Sequence, residues 1–173
     1  MNSLTSPTKD IYLKTAYDVR TLDDEIRIDG YCEALLKECY LLLVKEYELS
    51  PEAASKLCYG AGYFLREYLI PEQQTNLFDI DPQQVRQFAG NWYIIKNMEP
   101  NLSELTTILE GVTAFYQYCL DRKLISPDLF ETVRATCADL AFYQERIDSF
   151  WEIEKDGYQQ WNAACPLTQP KTS

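Results

Sequence analysis

Between Leu105 and Leu124 the apolar residues fall at positions 105, 108, 109, 112, 115, 116, 119, 120 and 124. That spacing forms one broad helical stripe and predicts the central helix of an all-α fold. Upstream, Cys32, Leu35, Leu36, Cys39, Leu42, Leu43 and Tyr47 predict a helix from about Tyr31 to Glu48. Leu41 and Val44 make its other faces apolar too, so deep burial is expected. Ser50-Pro51 is a start signal, a capping hydroxyl followed by a proline whose missing N–H costs nothing in the first turn. The stripe Ala54, Leu57, Cys58, Ala61, Phe64, Leu65 and Tyr68 carries that helix to about Ile70. The short link predicts an antiparallel hairpin of the two helices. Gly60 and Gly62 lie inside the second, each at a cost of about 1 kcal/mol relative to Ala, so close helix packing is expected there.

The rest of the chain is punctuated in the same way. From Asp10 to Ile28 the periodicity is weaker, and Asp29-Gly30 is expected to interrupt it. Asp81-Pro82-Gln83-Gln84 is the strongest cap signal, opening a helix to about Asn97 with Val85, Phe88, Ala89, Trp92 and Ile95 on one face. Asn101 with Glu104, or Ser103, caps the central helix. Ser126-Pro127 opens a last segment in which Phe130, Val133, Cys137, Leu140, Gln144, Ile147, Trp151, Glu154, Tyr158 and Trp161 recur every three or four residues. This heptad-like seam predicts one long C-terminal helix, bent or broken near Asp156-Gly157, that wraps the bundle, projects from it or meets a second copy. The expected architecture is a single-domain helical bundle of five to six helices over residues 10–164, with residues 1–9 and 165–173 disordered.

Composition narrows the function classes. The 173 residues carry a formal net charge of −11, distributed as −6 over residues 1–80, −1 over 81–126 and −4 over 127–173. Phosphate affinity comes mainly from Lys and Arg, so nucleic acid is an unexpected partner, as is an anionic membrane. No apolar run is long enough to span a membrane. The N-terminus has no apolar core of a leader. The six cysteines, five of them on apolar stripes, read as reduced buried thiols, and a cytoplasmic location is expected. The 13 tyrosines suggest half-buried surfaces that keep their hydroxyls wet.

The chain has no histidine. That removes Ser-His-Asp and Cys-His catalysis, HExxH zinc sites and the Glu-x-x-His ligands of di-iron bundles. No Cys-x-x-Cys, phosphate-binding loop or dinucleotide fingerprint is present, so no cofactor is expected. Glu145, Asp148 and Glu152 share one side of a helix, and Asp23-Asp24-Glu25 marks a helix start; solvated acids account for both. Opposite the main stripe of 105–124 lies a row of mostly small residues, Thr107, Gly111, Ala114 and Tyr118. Such a row lets another helix approach closely, either within the monomer, which the lengths of the flanking helices favour, or from a partner. The C-terminal seam adds Trp151, Tyr158 and Trp161 as candidate interaction residues.

Residues 81–126, DPQQVRQFAGNWYIIKNMEPNLSELTTILEGVTAFYQYCLDRKLIS, combine a Val85/Phe88/Trp92 helix, a capped helix containing Phe115-Tyr116, and the segment Lys123-Leu124-Ile125-Ser126. This stretch, about a quarter of the chain, resembles part of the SAM-like core-binding domain of tyrosine recombinases. Helical segments of uncharacterised bacterial proteins look similar as well. The resemblance implies a helical arrangement and no functional residue, because that family grips DNA with basic side chains and its catalytic Arg, His and Tyr domain has no counterpart here. The expected function is therefore that of a non-enzymatic, soluble protein, an adaptor or regulator that binds another protein or itself. A nucleic-acid-related helical domain, or an acidic DNA-mimic regulator, is the alternative, and an enzyme using acids, Tyr or Cys ranks third.

Overall fold

A computed structural model describes residues 11–170. Seven helices, and no strand, occur among the described residues. They are α1 (Leu22–Lys45), α2 (51–69), α3 (82–96), α4 (Leu102–Asp121), α5 (Pro127–Cys137), α6 (Leu140–Trp151) and α7 (Gly157–Ala163). Short 3-10 turns occupy Lys14–Tyr17 and Leu77–Asp79. The expected disorder of residues 1–9 lies outside the described residues.

The caps form as the sequence predicts. Ser50, Asn101 and Ser126 each accept a backbone N–H of the first turn, from Ala53, Glu104 and Leu129 respectively. Asp81 and Gln84 bond reciprocally in a capping box. Thr21 and Asp24 form a second box, so α1 starts at Leu22, nine residues before the expected Tyr31. Asp29-Gly30 does not interrupt it. Ile28, Cys32 and Leu35 continue one buried stripe across the pair, and Asp29 is held by Arg66 of α2 through two bonds of 2.7 and 2.9 Å. Burial of a continuous face outweighs the roughly 1 kcal/mol propensity cost of the glycine.

α4 is the centre. It touches α1, α2, α5 and α6, and its contact with α2 is the most extensive in the fold. The main stripe, from Leu105 to Cys119, is buried. Of the opposite row, Gly111 packs on α2, inside the chain. A β-carbon on Gly111 would overlap the Leu57 carbonyl oxygen and lie 2.8 Å from the Ala61 nitrogen. A β-carbon on Gly60 would lie 2.8 Å from the Cα of Ile108. The two glycines thus bring two helix backbones into contact.

Two helices contain wide turns that periodicity did not reveal. Residues Tyr63–Leu69 of α2 and Phe88–Trp92 of α3 are π-helical, as in the Ile70 N–H bond to the Leu65 carbonyl. Both turns carry large rings, and these pack together: Phe64 meets Phe88 edge-on at 5.0 Å, and Tyr68 meets Trp92 at 5.3 Å.

The single long C-terminal helix is corrected to three, so the heptad seam is not continuous. At the first break Asp139 adopts a non-helical backbone and its carboxylate turns to Arg86 of α3, at 3.2 Å. Tyr143 spans the break, its hydroxyl donating 2.6 Å to the Thr136 carbonyl. The second break, residues 152–156, includes Lys155 at a left-handed φ of 50°. Residues 165–170, expected to be disordered, lie along α3: Cys165 is buried and Thr168 bonds Gln87.

The tyrosines are also more buried than expected. Tyr17, Tyr68, Tyr93, Tyr116, Tyr118 and Tyr143 are fully enclosed. Several donate to loop carbonyls, as Tyr17 does to Ile11 and Tyr116 to Leu77, so their hydroxyls tie loops to the core in place of water.

The glycines give a paired test. Gly111→Ala should destabilise the protein by about 2 kcal/mol or more and Gly111→Leu should prevent folding, because backbone cannot yield as a side chain can. Gly30→Ala, which meets nothing within 4 Å, should stabilise by about 1 kcal/mol. Urea titration of the three variants measures both.

Candidate functional site

Where α2 and α4 diverge beyond the Gly60–Ile108 contact, a cleft of about 460 Å3 opens. Ser55, Lys56, Tyr59, Gly60 and Tyr63 of α2 form one wall, Glu104, Thr107 and Ile108 of α4 the other, and Asn97 closes one end. Gly60 forms part of this lining because a larger residue would separate the helices. Tyr59 is 74% exposed although it is a large aromatic, and Met98, next to Asn97, is 93% exposed.

The end of the cleft is rigid. Asn97 Nδ2 donates 2.7 Å to the Tyr93 carbonyl and 3.2 Å to the Tyr63 hydroxyl. The Tyr93 hydroxyl donates 2.9 Å to Glu104 and accepts from the Asn101 N–H at 3.2 Å. Burial raises the pKa of both phenols above the ordinary value, so both remain neutral at physiological pH. Lys56 and Glu104 place one charge of each sign in the lining. The arrangement suits a ligand with an apolar anchor and a few polar groups.

The sequence-derived candidates are dispersed. Thr107 lines this cleft, Gly111 lies under α2, Ala114 is half-buried against the core, and Tyr118 is buried with its hydroxyl 3.0 Å from that of Tyr12. Trp151 is 60% exposed and Tyr158 45%, whereas Trp161 is buried and stacks on Arg146. The break before α7 separates Trp161 from the surface its heptad position suggested. Glu145, Asp148 and Glu152 are exposed, and no cluster of Cys, Asp or Glu among the described residues is arranged to hold a metal ion. The apolar period along the chain does not mark Tyr59, Lys56 or Asn97. The signal for Tyr59 is an aromatic off the apolar stripe, immediately before a glycine.

A second polar centre is structural. Arg146 is 5% exposed and has no carboxylate partner among the described residues. Its Nε donates 2.8 Å to the Gly90 carbonyl in the wide turn of α3, and its Nη1 donates 2.8 Å to the Trp161 carbonyl. The guanidinium lies 3.9 Å from the Trp161 ring centroid, and the indole N–H donates back to the Arg146 carbonyl. Asn91 completes the clasp by donating to the Cys165 carbonyl at 2.7 Å. Burial lowers the Arg146 pKa, but a guanidinium stays charged there. In comparison with known proteins, no family model, no curated protein and no solved structure matches the chain.

Replacing Arg146 with Met removes its bonds to the Gly90 and Trp161 carbonyls, leaving the latter only the Ala164 N–H at 3.3 Å, and should cost about 1–3 kcal/mol. Arg146→Lys should not restore it, because one ammonium cannot span both acceptors in the planar geometry of the fork. Hydrogen exchange should show the loss first at residues 157–165.

Proposed function

We propose that the chain is a single helical domain without enzymatic activity that works by binding another protein, and that the cleft between α2 and α4 is the docking site. The observation that carries this reading is the exposed Tyr59 beside a preformed, mostly apolar cleft, with the exposed Met98 next to Asn97 at its end. Exposed Tyr and Met side chains beside a concavity supply large, adaptable contact area. The hydrogen-bonded Asn97, Tyr63 and Tyr93 keep that end of the cleft ordered before binding, which lowers the cost of association. The absence of histidine and the net charge of −11 favour a protein partner over catalysis or phosphate recognition. Trp151 and Tyr158 offer a second exposed aromatic pair, at the break between α6 and α7.

A Tyr59→Ala, Met98→Ser double variant should melt within about 0.5 kcal/mol of the parent, since both side chains are exposed. It should weaken self-association or partner binding by at least about tenfold, which corresponds to 1.4 kcal/mol. Sedimentation, cross-linking and affinity capture with the intact chain measure this. A parent protein that stays a lone monomer with no captured partner, or a variant that binds as well as the parent, would overturn the proposal.

A further inference from the structure

Five of the six cysteines are buried; Cys58 is the partly exposed one. It sits on α2 and lines a second cleft of about 440 Å3, formed with Asp29 and Leu36 of α1 and with Tyr59, Tyr63 and Arg66 of α2. This cleft lies on the opposite side of Tyr59 and Tyr63 from the docking cleft, and it gives solvent a route to the Cys58 sulfur. The same sulfur faces α1. Its thiol donates to the Leu36 carbonyl at 3.6 Å, and Cys39 is the next buried residue on that face of α1, three positions on. The Leu36 carbonyl that the Cys58 thiol meets lies one helical turn before Cys39, so Cys58 packs on the part of α1 that carries Cys39. One accessible thiol against one enclosed thiol, on two packed helices joined by a short link, is the arrangement of a reacting and a resolving cysteine.

We propose that Cys58 and Cys39 form a peroxide-sensitive dithiol pair, Cys58 being the sulfur that meets the oxidant and Cys39 the one that resolves it. The oxidant is a hydroperoxide. The Cys58 thiolate attacks the distal peroxide oxygen, the O–O bond breaks, and Cys58 becomes a sulfenic acid as the leaving oxygen takes up a proton. The Cys39 sulfur then attacks the Cys58 sulfur, expelling water and forming the disulfide. Two electrons pass from the two thiols to the peroxide, and with hydrogen peroxide two waters are released. The neighbouring Cys39 thiol lowers the Cys58 pKa and keeps its own proton, which favours Cys58 as the nucleophile; burial holds Cys32, Cys119 and Cys137 in the inert protonated form.

Three measurements on the intact chain test the pair. Iodoacetamide should label Cys58 of the native parent roughly tenfold faster than any other cysteine. Hydrogen peroxide should remove about 2 Da, reversibly with dithiothreitol, and peptide mapping should place the cross-link between Cys39 and Cys58. Cys58→Ser should abolish the mass change. Cys39→Ser, shown to be folded by circular dichroism, should instead accumulate a Cys58 sulfenic acid that a dimedone probe captures. A cross-link joining other cysteines, slow labelling of Cys58 in the parent, or no peroxide-induced mass loss in the parent would overturn the assignment. The first two tests use only the parent, so misfolding of a variant does not shelter the proposal.

Discussion

The backbone-to-backbone contact of α2 and α4 is the constraint on which the other packing depends. Gly60 meets Ile108, and Gly111 meets Leu57 and Ala61, at distances that no β-carbon could occupy. Each glycine costs about 1 kcal/mol of helix propensity. The close approach offsets this by burying the flanking apolar side chains of both helices at dense packing. With α2 seated on one face of α4, the main stripe of α4 is left to face α5 and α6. α1 follows from its short link to α2, and α4 becomes the element that most of the others touch.

The same contact shapes the surface. Gly60 and Ile108 belong both to the helix crossing and to the lining of the cleft beyond it. Tyr59 is forced outward because its neighbour Gly60 faces inward. Cys58, one residue earlier, faces α1. Three consecutive residues of one helix therefore serve three environments: a helix pair, a solvent-exposed rim and a backbone crossing.

A second set of ties holds what the hydrophobic pattern leaves loose. Buried hydroxyls of Tyr17, Tyr116 and Tyr143 satisfy carbonyls of turns and helix ends, and Arg146 satisfies one carbonyl in a wide turn of α3 and one near the end of α7. Unpaired, those carbonyls would each cost about 1–3 kcal/mol on burial. Arg146 thus anchors the C-terminal segment to the aromatic seam of α2 and α3 through carbonyl acceptors.

The helical class, the four Ser, Asn and Asp caps named in advance, and the buried stripe of α4 were all legible in the order of residues. Each rests on interactions within a few positions of the chain, where a 3.6-residue period and a capping side chain are decisive. Gly60 and Gly111 were legible as small residues but not as each other's complement, since either could have met another chain. The start of α1 carries a local sign, the Thr21–Asp24 box, that the apolar period does not show; its passage through Asp29-Gly30, the wide turns, and the division of the C-terminal seam were not legible. They depend on Arg66, Arg86, Arg146 and Tyr143 reaching partners distant in sequence or across a break, and periodicity carries no record of such partners. Tyr59 shows the same division. Its aromatic character is local, but its exposure was decided only when α2 and α4 closed around Gly60.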